Sequence, residues 1–420
     1  MLEGRQVNQN EDLSPDSTLS LIADPYRFIS RQCLRLNSDL FETRLLMKKT
    51  ICMTGKEAAV LFYDPTRFTR VGAAPEPLRA TLFGKGGVQG LDGIEHSLRK
   101  EMFMSIMSEE SIVKISNITS RWFKYYCRMW EKRRRVTLYD ELQELLTRSV
   151  CEWAGVPLKE DEVKTRSRQL TALFDSAGSV GIRHVKSRMQ RKKAESWIMN
   201  LVQDARMRAP SAINTPFQAI ALHRDVKGDF LSVKTAAIEI LNLLRPTVAI
   251  SVFMVYEALA LHMHPSIKKS VQHSGPDYNE AFVQEVRRFY PFFPSLLAKV
   301  KDNFVWKDVH FKKDTQVILD IYGTNHDPRI WQAPEEFIPE RFLQRENDKF
   351  GFIPQGGGDL TGHRCPGEFI TIALMKVALE FFALRMKYEV PPQNLDIDRK
   401  RMPAIPKSRL VIQHVFFDEM

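Results

Sequence analysis

The residues best suited to chemistry lie in Phe352-Ile353-Pro354-Gln355-Gly356-Gly357-Gly358-Asp359-Leu360-Thr361-Gly362-His363-Arg364-Cys365-Pro366-Gly367-Glu368, where one cysteine stands among glycine turns and cations. A thiolate needs its charge stabilised, and a loop whose N–H groups point at sulfur ahead of a helix N-terminus does this. The chemistry suited to such a sulfur is ligation of haem iron. His363, two residues earlier, is placed to pair with a haem propionate. The same loop also fits a glycine-rich turn with a buried, inert cysteine, and other segments must decide between these readings.

The elements that position the loop are mostly helices. Apolar residues recur at spacings of three and four over 96–107, 109–130, 138–153, 159–177, 185–208, 232–263, 278–290 and 367–386. Strand-like runs are short and few, at 50–53, 300–305, 316–320 and 409–416. The expected fold is mainly α with a small β part. No Pro/Ser/Gly-rich bridge or internal repeat divides the 420 residues, so one domain is expected over 18–420 after a flexible polar arm at 1–17.

Composition narrows the setting. The five cysteines, Cys33, Cys52, Cys127, Cys151 and Cys365, have no CxxC spacing, and their odd number cannot pair completely, which points to a reducing compartment. The arm has neither the apolar core of a signal peptide nor an anchor, so a cytoplasmic protein with no integral membrane association is expected. The apolar stretch Thr247 to Met263 contains Glu257 and follows a proline; it falls short of a span and reads as a buried helix. The formal charge of +10 gathers partly in Lys132-Arg133-Arg134-Arg135 and between Arg183 and Lys193, read as solvated helical faces. Without zinc-finger spacing, a recognition-helix pattern or an aromatic RNA-binding motif, no nucleic-acid partner is expected.

Glu285-Val286-Arg287-Arg288 puts Glu285 and Arg288 on one helical face, and as an exposed pair this would contribute only roughly 0 to 1 kcal/mol. Its weight comes from the segments further along the chain: Thr324-Asn325-His326-Asp327-Pro328, then Phe337-Ile338-Pro339-Glu340-Arg341-Phe342, then the cysteine loop. That order resembles the cytochrome P-450 superfamily. The resemblance implies haem b with Cys365 as axial ligand, and a buried network of Glu285, Arg288 and Arg341 supporting the loop.

The loop departs from the common superfamily form, with Gln355 where Phe is usual and about three extra residues before Cys365. In this it is similar to the fatty acid peroxygenase branch, as are Thr81-Leu82-Phe83-Gly84-Lys85-Gly86-Gly87-Val88-Gln89-Gly90-Leu91-Asp92-Gly93, Trp153-Ala154-Gly155-Val156-Pro157 and Leu244-Arg245-Pro246. The likeness runs from about Thr18 to the C-terminus. The form of the Gln89 loop, with Thr18-Leu19-Ser20-Leu21 and Asp24-Pro25-Tyr26-Arg27-Phe28, looks most like an α-selective hydroxylase of that branch.

Ordinary members of the superfamily place an acid or amide beside a threonine in the central helix to relay protons. Here Arg245 and Pro246 precede Thr247, so the relay is displaced and a proline shapes the distal helix. The resemblance implies that Arg245 holds a fatty acid carboxylate in two-point fashion, and that this carboxylate supplies the acid/base group for cleaving hydrogen peroxide. No redox partner is then needed. The α and β carbons lie in reach whatever the tail length. Ten buried methylenes would add roughly 8 kcal/mol of affinity before ordering costs, favouring long chains without choosing a carbon. Arg245 also fits a helix arginine reaching a surface carboxylate.

Phe83 and Gln89 match pocket residues of that branch, with loop packing as the other reading for both. Relatives with histidine at the Gln89 position release carbon dioxide and leave an alkene; an amide cannot donate a proton as imidazolium can, so hydroxylation is expected. His96 and Lys100, four apart, can present two cations to a propionate or form a surface pair. Phe292 and Phe293, after Pro291, line either the tail pocket or the core. The readings to be separated are peroxide-driven hydroxylation of long-chain fatty acids, decarboxylation to terminal alkenes, a reductase-dependent monooxygenase of the same fold, and a haem-containing fatty acid carrier without turnover.

Overall fold

Ser232 starts the central helix by accepting a hydrogen bond from the Thr235 N–H at 3.0 Å, and the apolar residues after it run through Val233–Ala249 and Ser251–Met263. Pro246 lacks the N–H that would bond back to Asn242, and the helix breaks four residues later. There the Ile250 N–H bonds to Thr247 at 3.2 Å, three residues back rather than four. The expected single helix over 232–263 is thus two joined segments. Together Val233–Met263 is long and apolar enough to cross a membrane, contrary to the shorter expectation, but its apolar window is 94% buried within the protein. Packing identifies it as a core element.

The structure, a computed structural model, describes residues 16–175, 177, 181–208, 213–344 and 348–419. Of the expected flexible arm, residues 1–15 lie outside this description. Asp16 bridges to Arg44 and accepts from the Met47 N–H at 2.6 Å, so the end of the arm is tied to a hairpin.

Around the central helix pack Leu138–Ala154, Val163–Phe174, Ile182–Arg208, Pro276–Phe289 and Glu368–Glu380, and Glu109–Glu131 packs on the first and last of these. Glu109–Glu131 shows why such segments are helical: Ser108 caps it, Glu109 and Glu110 face its positive end, and Ile115, Ile118, Phe123 and Trp130 form the buried stripe. The last expected helix is shorter than 367–386, because Met386 already begins the strand Met386–Glu389.

Five strands form a mixed sheet in the order Leu40–Leu45, Lys48–Met53, Gln316–Asp320, Ser295–Val300, Phe68–Thr69; only the second and third of these run parallel. Val411–Phe417 lies between Arg135–Thr137 and Met386–Glu389 in a second sheet. The expected strand over 300–305 is incorrect. The chain bends at Lys301-Asp302-Asn303, and strands end and begin on either side at Val300 and Phe304. The architecture is the expected mainly α fold with a small β part.

Candidate active site

The cysteine loop is held from behind by charged groups removed from water. Arg288 donates from Nε and Nη2 to Glu285 at 2.7 and 2.8 Å, and also to the carbonyls of Asn325 at 3.0 Å, Pro334 at 2.9 Å and Glu336 at 3.1 Å. Arg341 Nε reaches Glu285 at 3.3 Å. Glu285 and Arg288 are buried, so this is a structural cluster and not the solvated pair their spacing alone suggests. Asn325 carries the support into the loop, its Oδ1 accepting from the Ile353 N–H at 3.0 Å.

Within the loop, Gly356 has φ +93°, and a Cβ there would sit 2.9 Å from the Tyr63 hydroxyl, which accepts from the Gly357 N–H at 2.8 Å. The Cys365 N–H donates to the Gln355 carbonyl at 3.1 Å. The Gln355 side chain accepts from Arg287 at 3.0 Å, and its amide nitrogen donates to Thr371 at 3.0 Å and stands 3.9 Å from the Cys365 sulfur. Burial pushes the Cys365 thiol up, while the Gly367 N–H, Lys100 and Arg287 pull it down. Cys33, Cys52, Cys127 and Cys151 are buried and all pushed up by desolvation. Cys365 alone of the five is partly exposed.

His363 of the cysteine loop comes together with His96 and Lys100. The two imidazoles lie 4.1 Å apart between ring centres, and Lys100 Nζ donates to the Arg364 carbonyl. Burial lowers His96 to about 4 and Lys100 to about 8. His363 also bonds Asp92 at 3.0 Å, and Asp92 accepts from Thr69 and from the Arg70 N–H. Asp92 and half-buried Arg70 were not singled out from sequence. Asp92 read as part of a glycine loop, and only the fold brings it to His363.

On the opposite side, the central helix presents Glu239, Asn242 and Arg245 at intervals of three residues, on one face. Arg99 Nη1 donates to Glu239 at 2.5 Å, Asn242 Nδ2 donates to Glu239 at 2.9 Å and to Gln89 at 3.2 Å, and Arg245 Nη2 donates to Asn242 Oδ1 at 3.4 Å. Arg245 is buried and its Nε has no hydrogen-bond partner. Desolvation lowers it to about 9, with Arg191 adding to the effect and Cys365 and Glu239 opposing it. Burial likewise holds the Glu239 carboxyl above its ordinary range. Glu239, Asn242 and Arg99 escaped the sequence reading, although polar residues every third position in an otherwise apolar helix were the available signal.

Pro246 is exposed while the residues on either side are buried, so it faces open space within the core. Phe83, at the end of the turn Arg79–Phe83, lines a cavity of about 70 Å³ with Gln89, Arg70 and Arg79. Phe292 is half-buried against Phe253, at 4.5 Å between ring centres, about two turns beyond Arg245. Arg191, expected on a solvated face, is buried and donates to the Thr81 carbonyl at 2.7 Å.

These residues suit a haem. The loop offers a soft sulfur donor with nearby cations, two imidazoles and an ammonium gather close to it, and the core helix exposes a proline. The sulfur acts electrostatically on both Lys100 and Arg245, so the loop and the central helix lie within reach of one another's charges.

Residues 276–414 match the family model described as Cytochrome P450. A curated relative, cytochrome P450 76AD1 of Beta vulgaris, is 30% identical over 31% of this chain, and the matched region spans only 28% of that relative. Two solved structures align over nearly the whole chain. Cytochrome P450SP alpha (CYP152B1) in complex with (R)-ibuprophen is 49% identical, with a TM-score of 0.94 over 96% of this chain and 100% of that one. Cytochrome P450EX alpha (CYP152N1) with myristic acid is 42% identical, with a TM-score of 0.93 over 97% and 100%. The chain belongs to the cytochrome P450 superfamily, in its fatty acid peroxygenase branch. The cofactor of that family is haem b held by a cysteine thiolate.

Proposed function

We propose that this chain uses hydrogen peroxide to hydroxylate long-chain fatty acids, mainly at the α carbon and secondarily at β, in the cytoplasm and without an obligatory redox partner. The observation that carries the reading is Arg245: a buried guanidinium with an unpartnered Nε, next to a proline, where an acid/threonine relay would otherwise stand.

Cys365 would hold the haem, which when bound would supply the oxidising chemistry that converts a fatty acid and hydrogen peroxide into a 2-hydroxy acid and water. Arg245 binds the carboxylate. Even lowered to about 9 it stays cationic at neutral pH, and an incoming carboxylate supplies the anion its burial demands. Asn242 holds Arg245 from one side and Gln89 from the other, which fixes the head-group end of the substrate. The carboxylate, so fixed, moves the proton that peroxide cleavage requires. Phe83 borders the head group and Phe292 the tail, while His363, His96 and Lys100 hold propionates. The ligands named for the two structural relatives, myristic acid and ibuprophen, share a carboxylate, in accord with an arginine as the recognising group.

The test is purified holoprotein with hydrogen peroxide and myristic acid and no electron donor, with products read by mass spectrometry. Appearance of 2-hydroxymyristate supports the reading; a requirement for a reductase, or a spectral response to fatty acid without peroxide consumption, overturns it. Arg245→Ala is expected to keep the haem absorbance and lose turnover, and unchanged activity would remove the anchoring role.

A further inference from the structure

Helix Ile182–Arg208 carries exposed apolar side chains on its outward side: Ile182 at 75%, Val185 at 56% and Met189 at 54%. Their spacing of three and four makes one stripe. Lys186, Lys192 and Lys193 are also exposed. With 3.6 residues per turn, Lys186 and Lys193 fall within about 40° of Ile182 on one flank and Lys192 within about 80° on the other. The buried side is formed by other residues, among them Ser187, Ala194, Trp197 and Ile198, so the core does not require the outward stripe.

An apolar centre between lysine flanks suits a boundary where side chains enter an acyl layer and ammonium groups meet anionic head groups. Cations are in excess nearby: Arg188 and Lys85 share the single carboxylate of Glu76, at 3.8 and 3.7 Å. The same helix meets, by its inner side, the turn that borders the cavity lined by Phe83 and Gln89. Buried Arg191 of this helix holds the Thr81 and Leu82 carbonyls at 2.7 and 3.2 Å, and the next residue, Phe83, borders that cavity with Arg79.

We infer that this face docks the protein reversibly on an anionic phospholipid bilayer, the phase in which long-chain acids dissolve. The contact is peripheral, and charge complementarity selects the partner. The link to substrate delivery rests on the proposed function; the docking itself does not.

The test is co-sedimentation of full-length holoprotein with vesicles of phosphatidylcholine alone or of phosphatidylcholine with about one-quarter phosphatidylglycerol, without fatty acid or peroxide. Binding to the anionic vesicles is expected to be at least about tenfold stronger and to fall as salt is raised. The variants Ile182→Ser/Val185→Ser/Met189→Ser and Lys186→Glu/Lys192→Glu/Lys193→Glu should each lose about tenfold or more in binding while keeping haem absorbance and activity on dispersed fatty acid. Equal binding to both vesicle types, no binding to either, or unchanged binding by either variant would overturn the inference.

Discussion

Asn242 Oδ1 accepts a hydrogen bond from Arg245 Nη2 at 3.4 Å, one helical turn away, while its amide nitrogen serves Gln89 and Glu239. The amide is therefore oriented from both ends, and through it Arg245 is coupled to the Gln89 loop. Asn242→Leu keeps the volume but strands a buried guanidinium and leaves the Glu239 carboxylate to Arg99 alone. Such a loss costs about 1 to 3 kcal/mol, or roughly five- to 150-fold. The expected result is a raised KM for myristic acid with a smaller fall in kcat. Unchanged kcat/KM would mean that Arg245 is held without Asn242.

Glu285 is enclosed with Arg288, Arg341 and the Ile338 N–H, which donates to it at 2.8 Å. Arg288→Ala leaves that carboxylate with a weaker partner and frees three backbone carbonyls. Breaking a buried pair in this way costs about 3 to 5 kcal/mol. The variant should show a lowered apparent melting temperature and a reduced fraction of chains carrying haem. Retention of both would show the network to be dispensable.

What the sequence made legible was local. The glycines around Cys365, the helix periodicities and the pair at Glu285 and Arg288 each declare themselves within a short window. Contacts closed across the fold did not. Asp92 meets His363 and Arg99 meets Glu239 only because loops and helices distant in sequence converge. Arg191 looked like one more cation in a basic run, yet its position on the inner side of its helix sends it to the Thr81 carbonyl. The strand expected over 300–305 failed because β-prone Val300, Phe304 and Val305 flank three turn residues, and a period-two pattern does not reveal that break.

Asp320 gives the stability an acid-side dependence. It is buried, caps the turn at Ile321 by accepting from the Gly323 N–H at 2.7 Å, and is raised by desolvation from 3.8 to about 7. Between those values the folded carboxyl keeps a proton that the unfolded chain has released. Its contribution is fully present below pH 3.8 and is lost as pH rises through about 7. The slope is at most about 1.4 kcal/mol per pH unit. Asp320→Asn keeps the accepting oxygen and cannot titrate, so it should gain stability relative to the parent as pH rises from 4 to 7. Urea midpoints that shift in parallel for both proteins across that range would rule this out.

Gln89 decides which product forms, if the head-group geometry acts as proposed. Its Oε1 accepts from Asn242 Nδ2 at 3.2 Å, and its amide N–H is far too weak an acid to transfer a proton to a developing product. In Gln89→His, the ring must meet Asn242 by turning that amide, so that Asn242 offers its oxygen to an imidazole N–H. A protonated ring then stands beside the carboxylate held by Arg245, where it can supply a proton as carbon dioxide leaves. The expected outcome is a terminal alkene one carbon shorter than the substrate, gained at the expense of the 2-hydroxy acid and declining above the imidazole pKa. Gas chromatography of the peroxide reaction from about pH 5.5 to 8.5 spans the ordinary histidine range. A product mixture identical to that of the parent at every pH would show that residue 89 does not govern the partition, and would move that role to the Arg245–Asn242 pair.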